Sequence, residues 1–230
     1  MYLFNYRLTK KMNIALHFNL TLMSLLLALC ANAQSRFVNK ADGQPMHATR
    51  YAEVEGTPYW DDNFVKSEAK SIQNGKWYSY EKARFDCYKN ELEYEQSANR
   101  FMYLGHEQIS EFRLNGVVFR CGFPEINEWS DRHFYQLLYD GEIKLLKHIH
   151  NRVVTEAIFG NVTKLSKFER EEQYYVFKQG EMKRLKRKKG SLLEVLAEKQ
   201  DVLLQYAKFN NLDFSSEEDL KKIVRFYDNK

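Results

Sequence analysis

The chain predicts an α+β fold: an antiparallel β-hairpin meander, closed as a sandwich or partly open barrel, followed by a C-terminal helical hairpin. Three observations lead there. Fifteen Tyr and sixteen Phe among 230 residues, with only ten Gly and three Pro, suit pleated, half-buried strands. Turn residues recur between short apolar alternations, at Asn74-Gly75, Asn90 and Asn115-Gly116. Asn-Gly is the strongest short-range hairpin pattern, because both residues tolerate positive φ. After Ser191 the apolar period changes from two to that of a helix.

In chain order, residues 1–33 read as a secretory signal peptide. Arg7, Lys10 and Lys11 precede the apolar run Leu20–Leu29, and Ala31-Asn32-Ala33 offers small residues for cleavage. The run is shorter than the roughly 20 residues a spanning helix needs. An uncleaved anchor and a lipoprotein acylated at Cys30 are the rival readings. Residues 34–56 form an irregular, polar lead-in. Residues 57–190 form the antiparallel β domain. Within it, residues 135–147 align with 174–186 at an offset of 39, sharing Tyr, Gly, Glu and two Lys positions. Each copy predicts a hairpin, turning at Asp140-Gly141 or Gln179-Gly180. Residues 191–230 form the helical hairpin. Leu192, Leu193, Leu196, Leu203 and Ala207 mark its first stripe, and Leu220, Ile223, Val224 and Tyr227 its second. Asn210-Asn211 breaks the two apart, and Ser215–Glu218 reads as a capping box.

Charge depends on the leader. The chain carries 35 Lys+Arg against 31 Asp+Glu, and three of the basics lie in residues 1–33. The remaining 32 against 31 leave a net charge of +1, which removes the global basic character expected of a nucleic-acid binder. The local exception is Lys178–Lys189, with seven basics against Glu181 alone. Lys183, Arg184, Lys186, Arg187, Lys188 and Lys189 are therefore a candidate patch for an anionic envelope surface or an acidic partner. A solvated strand end leading into the helix is the simpler reading of the same residues.

Two cysteines follow the leader, in matching frames: Phe85-Asp-Cys87 and Phe119-Arg-Cys121. On strands each Cys shares a face with its Phe. The pair is a candidate disulfide in an oxidising compartment, closing a loop worth about 3–4 kcal/mol in the chain-entropy account. Two buried thiols acting as small hydrophobes are the alternative.

No catalytic motif is present, and no cofactor or metal is expected. His148-Ile-His150 would place two rings on one strand face, the start of a metal site. With no further ligand nearby in sequence, it reads as a surface strand. Asn161-Val-Thr163 fits a glycosylation acceptor. If the protein is a hydrolase, His106, His133 and Asp140 are the first residues to examine.

Gly56-Thr-Pro-Tyr59, the hairpin series, Tyr135–Gly141 and Leu212–Tyr227 together resemble a family of exported Gram-negative bacterial proteins with no assigned activity. The resemblance spans most of residues 56–230. It implies an exported, soluble, non-enzymatic module of the cell envelope, periplasmic or extracellular, with an envelope protein or anionic surface as partner.

Overall fold

The computed structural model describes residues 44–45, 51, 53–157 and 164–229. The leader at 1–33 and the acceptor at Asn161–Thr163 lie outside them. Twelve strands form one sheet: β1 (Gln44–Pro45), β2 (Val54–Glu55), β3 (Val65–Ser71), β4 (Trp77–Asp86), β5 (Glu91–Ser97), β6 (Arg100–Leu104), β7 (Ile109–Leu114), β8 (Val117–Arg120), β9 (Tyr135–Asp140), β10 (Lys144–Ala157), β11 (Lys164–Lys178) and β12 (Glu181–Leu185). Three helices follow: α1 (Lys189–Val195), α2 (Gln200–Phe209) and α3 (Glu217–Asp228), with a 3₁₀ turn at Ala197–Lys199.

This corrects the expected meander with a helical hairpin. The spatial order is β1-β6-β5-β4-β3-β7-β8-β9-β10-β11-β12, so β3 lies between β4 and β7 and the chain crosses over from β6 to β7. Beside β11 runs β2 in parallel, which makes the sheet mixed. The reason is physical: turn residues specify which neighbours pair locally, whereas the β6–β7 crossover is decided by packing. The helical tail also differs. Its first apolar stripe is interrupted at Leu196, where φ −110 and ψ 39 leave the helix. No Gly or Pro marks that break. The cap of α3 falls one residue later than expected, with Ser216 Oγ accepting from Asp219 N–H.

Two of the expected turns behave as their residues require, whereas Asn74 and Gly141 do not take up positive φ. Asn115 and Gly116 have φ of 48° and 81°, and Gln179 and Gly180 have 50° and 84°. Both pairs fit the type I′ geometry that matches strand twist. The internal repeat corresponds to two hairpins, β9–β10 and β11–β12. These lie side by side, because β10 and β11 pair along their whole lengths.

That central pair is buried on both faces. Leu145, Tyr174, Val176 and Leu185 face a cluster built by the helices, including Leu192, Leu203, Leu220, Ile223 and Tyr227. Their chain neighbours Leu146 and Tyr175 face the other way, onto Phe123, Trp129 and Tyr135. This explains why Leu145-Leu146 and Tyr174–Phe177 lack the alternation of a one-sided strand.

Beyond it, the sheet curls. Strands β4 and β8 are three steps apart, about 14 Å on a flat sheet. Yet the Phe85 and Phe119 rings lie 5.1 Å apart, packed with Phe112 and Phe134. The curl brings the end of β4 to β10, where Asn151 N–H donates to the Cys87 carbonyl at 3.4 Å. The Thr57–Trp60 segment laces this junction. Cys87 N–H donates to Pro58 and Trp60 N–H to Phe85, both at 2.8 Å. Buried Asn151 donates to the Thr57 carbonyl at 2.9 Å, and Arg170 donates to the Tyr59 carbonyl.

At the other end of the helical layer, Asp228 clamps the β9–β10 turn. Its carboxylate accepts from Tyr139 OH at 2.8 Å and from the N–H groups of Glu142 and Ile143 at 3.0 Å each. Gly141 is what admits it. A Cβ there would sit 1.9 Å from Asp228 Oδ2 and 2.8 Å from the Tyr139 ring. We expect Gly141→Ala and Asp228→Ala each to cost about 2 kcal/mol in denaturant melts, from overpacking and from lost charged hydrogen bonds. The double variant should cost clearly less than the sum, since removing the carboxylate makes room for the methyl. Strictly additive losses would show that the two residues do not share this clamp.

Candidate functional site

Two groups of residues stand out, on different parts of the sheet. The first is centred on Trp129, in the β8–β9 connection. Its indole lies 4.1 Å from the ring of His148, and 5.1 Å from those of His133 and His150, between centroids. Strand periodicity puts His148 and His150 on one face of β10, and their rings stack 6.2 Å apart. The connection then folds His133 onto them, 5.6 Å from His148. Trp129 Nε1–H donates to Gln173 Oε1 at 3.1 Å, which also accepts from Tyr175 OH at 2.6 Å.

The surface strand expected for this His pair is therefore a covered one. His148 is only 2% exposed. Its Nδ1 and the nearby Tyr135 hydroxyl have no hydrogen-bond partner among the described residues. Three histidines in one place suggest a metal, but the indole fills the space between their rings. Among the described residues no His, Cys, Asp and Glu group of three or more is arranged to hold one. The cluster is an aromatic plug that seats the β8–β9 connection on the sheet.

Burial disfavours the charged form of each ring. It holds His148 down to about 3, with the neighbouring His133 and His150 adding to the effect. His133 and His150 are lowered too, again chiefly by burial. Opposition comes first from a backbone hydrogen bond at each ring, Ser130 for His133 and Cys87 for His150, and then from Asp131 toward His133 and from Glu171 and Glu128 toward His150.

The residues first suspected of hydrolysis do not assemble into one site. His133 Nδ1 is taken up by Ser130, whose N–H donates to it at 3.1 Å. His106 lies close enough to perturb His133, but its own contact is Glu107 at 4.0 Å. Asp140 is engaged by Arg120 at 3.0 Å and Lys144 at 2.6 Å. Those ion pairs hold its carboxyl below the usual range despite the opposing effect of burial.

The candidate disulfide is not formed. Cys87 and Cys121 are free thiols. The Cys87 side chain is buried at the β4–β10 junction, and burial pushes it far up. Cys121 contacts the carbonyls of Ile109 and Ser110 at 3.7 and 3.5 Å, and burial pushes it up to about 11. The shared Phe-x-Cys frame did bring its two rings together, as Phe85 and Phe119. It did not bring the sulfurs together, because each thiol lies past the end of its strand, in different local surroundings.

The second group is the basic run. Lys183 and Arg184 lie on β12, the last strand of the sheet path, and Lys186–Lys189 continue into α1. All six cations are exposed. Leu185 alone points into the helical core, which pins the run to the fold. Among the described residues, the only ion pair in the run is Lys183 with Glu181, at 4.0 Å. Arg187 stacks over the Tyr174 ring at 5.1 Å. Lys188 and Lys189 begin a helix with no acid in its first turn, so they oppose its dipole. Beside the run, a groove of about 270 Å³ opens between β12 and the helices, lined by Glu181, Lys183, Glu194 and Val195.

Composition revealed the basic run in full. The aromatic plug escaped notice, because Trp129 and Gln173 are 44 residues apart. Its sequence traces were the His148-Ile-His150 spacing, His133 and the lone Trp between turn residues at 127–131.

Two outcomes follow from this geometry. A histidine whose folded pKa lies below its unfolded value binds fewer protons when folded. Its contribution is complete above about pH 6.5 and is lost as pH falls toward 3. Stability should therefore decline from about pH 6.5 downward, with His148 accounting for up to about 5 kcal/mol by the acid end. His148→Phe should flatten that limb in pH-dependent melts; an unchanged slope would assign it to other groups. Thiol labelling should modify Cys121 slowly in the folded protein and Cys87 only after unfolding. A mass two hydrogens lower that reductant restores would instead reveal a bridge.

Among the described residues no helix is long and apolar enough to cross a membrane. Comparisons with protein-family models, curated proteins and solved structures find no match to this chain.

Proposed function

We propose that the protein is an exported, non-enzymatic binding module of the cell envelope, and that it engages an anionic partner through Lys183–Lys189. The observation that carries this reading is the exposure of all six cations with a single ion pair among the described residues. Elsewhere on the sheet, charges are extensively matched. Arg84 pairs with Glu93, Arg120 with Glu111 and Asp140, and Lys147 with Glu217. A run left unmatched on a chain whose other residues after the leader are net acidic, 26 Lys+Arg against 31 Asp+Glu, is a concentrated source of positive potential. Export rests on the order of basic, apolar and small residues in 1–33. The resemblance to exported Gram-negative proteins agrees with it.

The test is charge reversal. Lys186→Glu, Arg187→Glu and Lys188→Glu are exposed and should leave the melting temperature nearly unchanged. Together they should weaken binding to anionic probes by about tenfold or more, and added salt should do the same to the parent chain. The probes are heparin, phosphatidylglycerol vesicles and an acidic peptide. If the parent binds none of them, or the triple variant binds as well as the parent, the reading falls.

A further inference from the structure

We infer that the partner is an acidic, extended polypeptide segment that adds to the sheet as a strand beside β12. The inference rests on the proposed anionic reading and specifies its partner class.

Four observations support it. First, β12 ends the sheet path and pairs with β11 on one side, through Tyr174–Lys178. Among the described residues no strand pairs with its other side. A strand there finds main-chain donors and acceptors in register, which is how sheet edges recognise extended peptides. Second, the cations are distributed along that edge. Successive strand residues face opposite ways, so Lys183 and Arg184 flank an added strand on both faces. Lys186–Lys189 then lie just past its end. Alternating acidic side chains on the incoming segment would meet a cation on either face.

Third, the same charges forbid the commonest alternative occupant. A second copy of β12 paired about Lys183–Arg184 would bring these cations against their own kind, and directly opposed like charges destabilise a pair. Fourth, the run lacks what a bilayer would exploit. The large exposed apolar residues among those described are Ile72, Trp77, Val202 and Phe209, and none lies in 181–190. The groove beside Lys183, lined also by Glu181, Glu194 and Glu198, leaves room for an uncharged side chain of the newcomer.

The test uses the full chain and four probes. One is a fluorescent peptide of alternating Glu and Val. The second is the same peptide, N-methylated at every other backbone nitrogen. Heparin and phosphatidylglycerol vesicles are the third and fourth. Variants leave residues 1–43 unchanged, so any affinity of the apolar run 20–29 for lipid is common to all. The acidic peptide should bind, and N-methylation should weaken it by about tenfold, because it removes ladder donors while preserving charge. Lys183→Glu with Arg184→Glu should weaken it to a similar degree. Equal binding of the two peptides overturns the strand-addition inference while the anionic reading stands. Tighter binding to vesicles or heparin than to the peptide does the same, and assigns the partner to lipid or to a soluble polyanion. Failure of all four probes removes both.

Discussion

The antiparallel ladder between β10 and β11 is the constraint on which the other parts depend. It runs from Lys144 opposite Phe177 to Ala157 opposite Lys164. Because side chains alternate, the ladder serves two cores at once. Leu145, Tyr174 and Val176 support the helices, while Leu146, Tyr175 and His148 support the β8–β9 connection. A one-residue slip of β10 would drive His148 toward the aliphatic helices and Leu145 toward Trp129. Register is thus fixed from both sides, and the middle of the ladder is fixed again by Asn151 and Arg170 at the Thr57–Trp60 lacing.

Charge is handled in two contrasting ways. Where the charge of an ionisable group would enter the interior, it is suppressed or paired. Glu93 is buried yet paired with Arg84, and His148 stays uncharged beneath an indole. On the β12 edge, cations are concentrated and left to solvent. An edge strand has a standing hazard, since its unpaired backbone can template association with another copy. Lysine and arginine remove that hazard and, in the same act, define the sign of any partner the edge accepts.

Local features were legible in the sequence and long-range ones were not. The turns at Asn115-Gly116 and Gln179-Gly180 were readable because the positive φ they need is a property of the residues themselves. The paired hairpins at 135–147 and 174–186 were readable from their repeat. The basic run was readable because charge needs no partner to be counted. By contrast, the placement of β3 beside β7 depends on how Phe85, Phe112 and Phe119 pack, and no short window contains all three. Cys87 and Cys121 misled for a related reason: a common local frame says which way a side chain points, not which strands lie between. The break at Leu196 was hidden because helical spacing resumes at Leu203 with the same face.

The Asp228 clamp has a temporal consequence. It joins residue 228 to Tyr139 and Ile143 across 89 and 85 positions of chain. A nascent polypeptide emerges from its N-terminus, so the β9–β10 turn is made long before the carboxylate that secures it. Until the last turn of α3 appears, the β9–β10 turn lacks the acceptor that ties it to the helical layer. Vectorial synthesis therefore leaves this turn unlatched until residue 228 has been made, and any product ending before Asp228 lacks the latch.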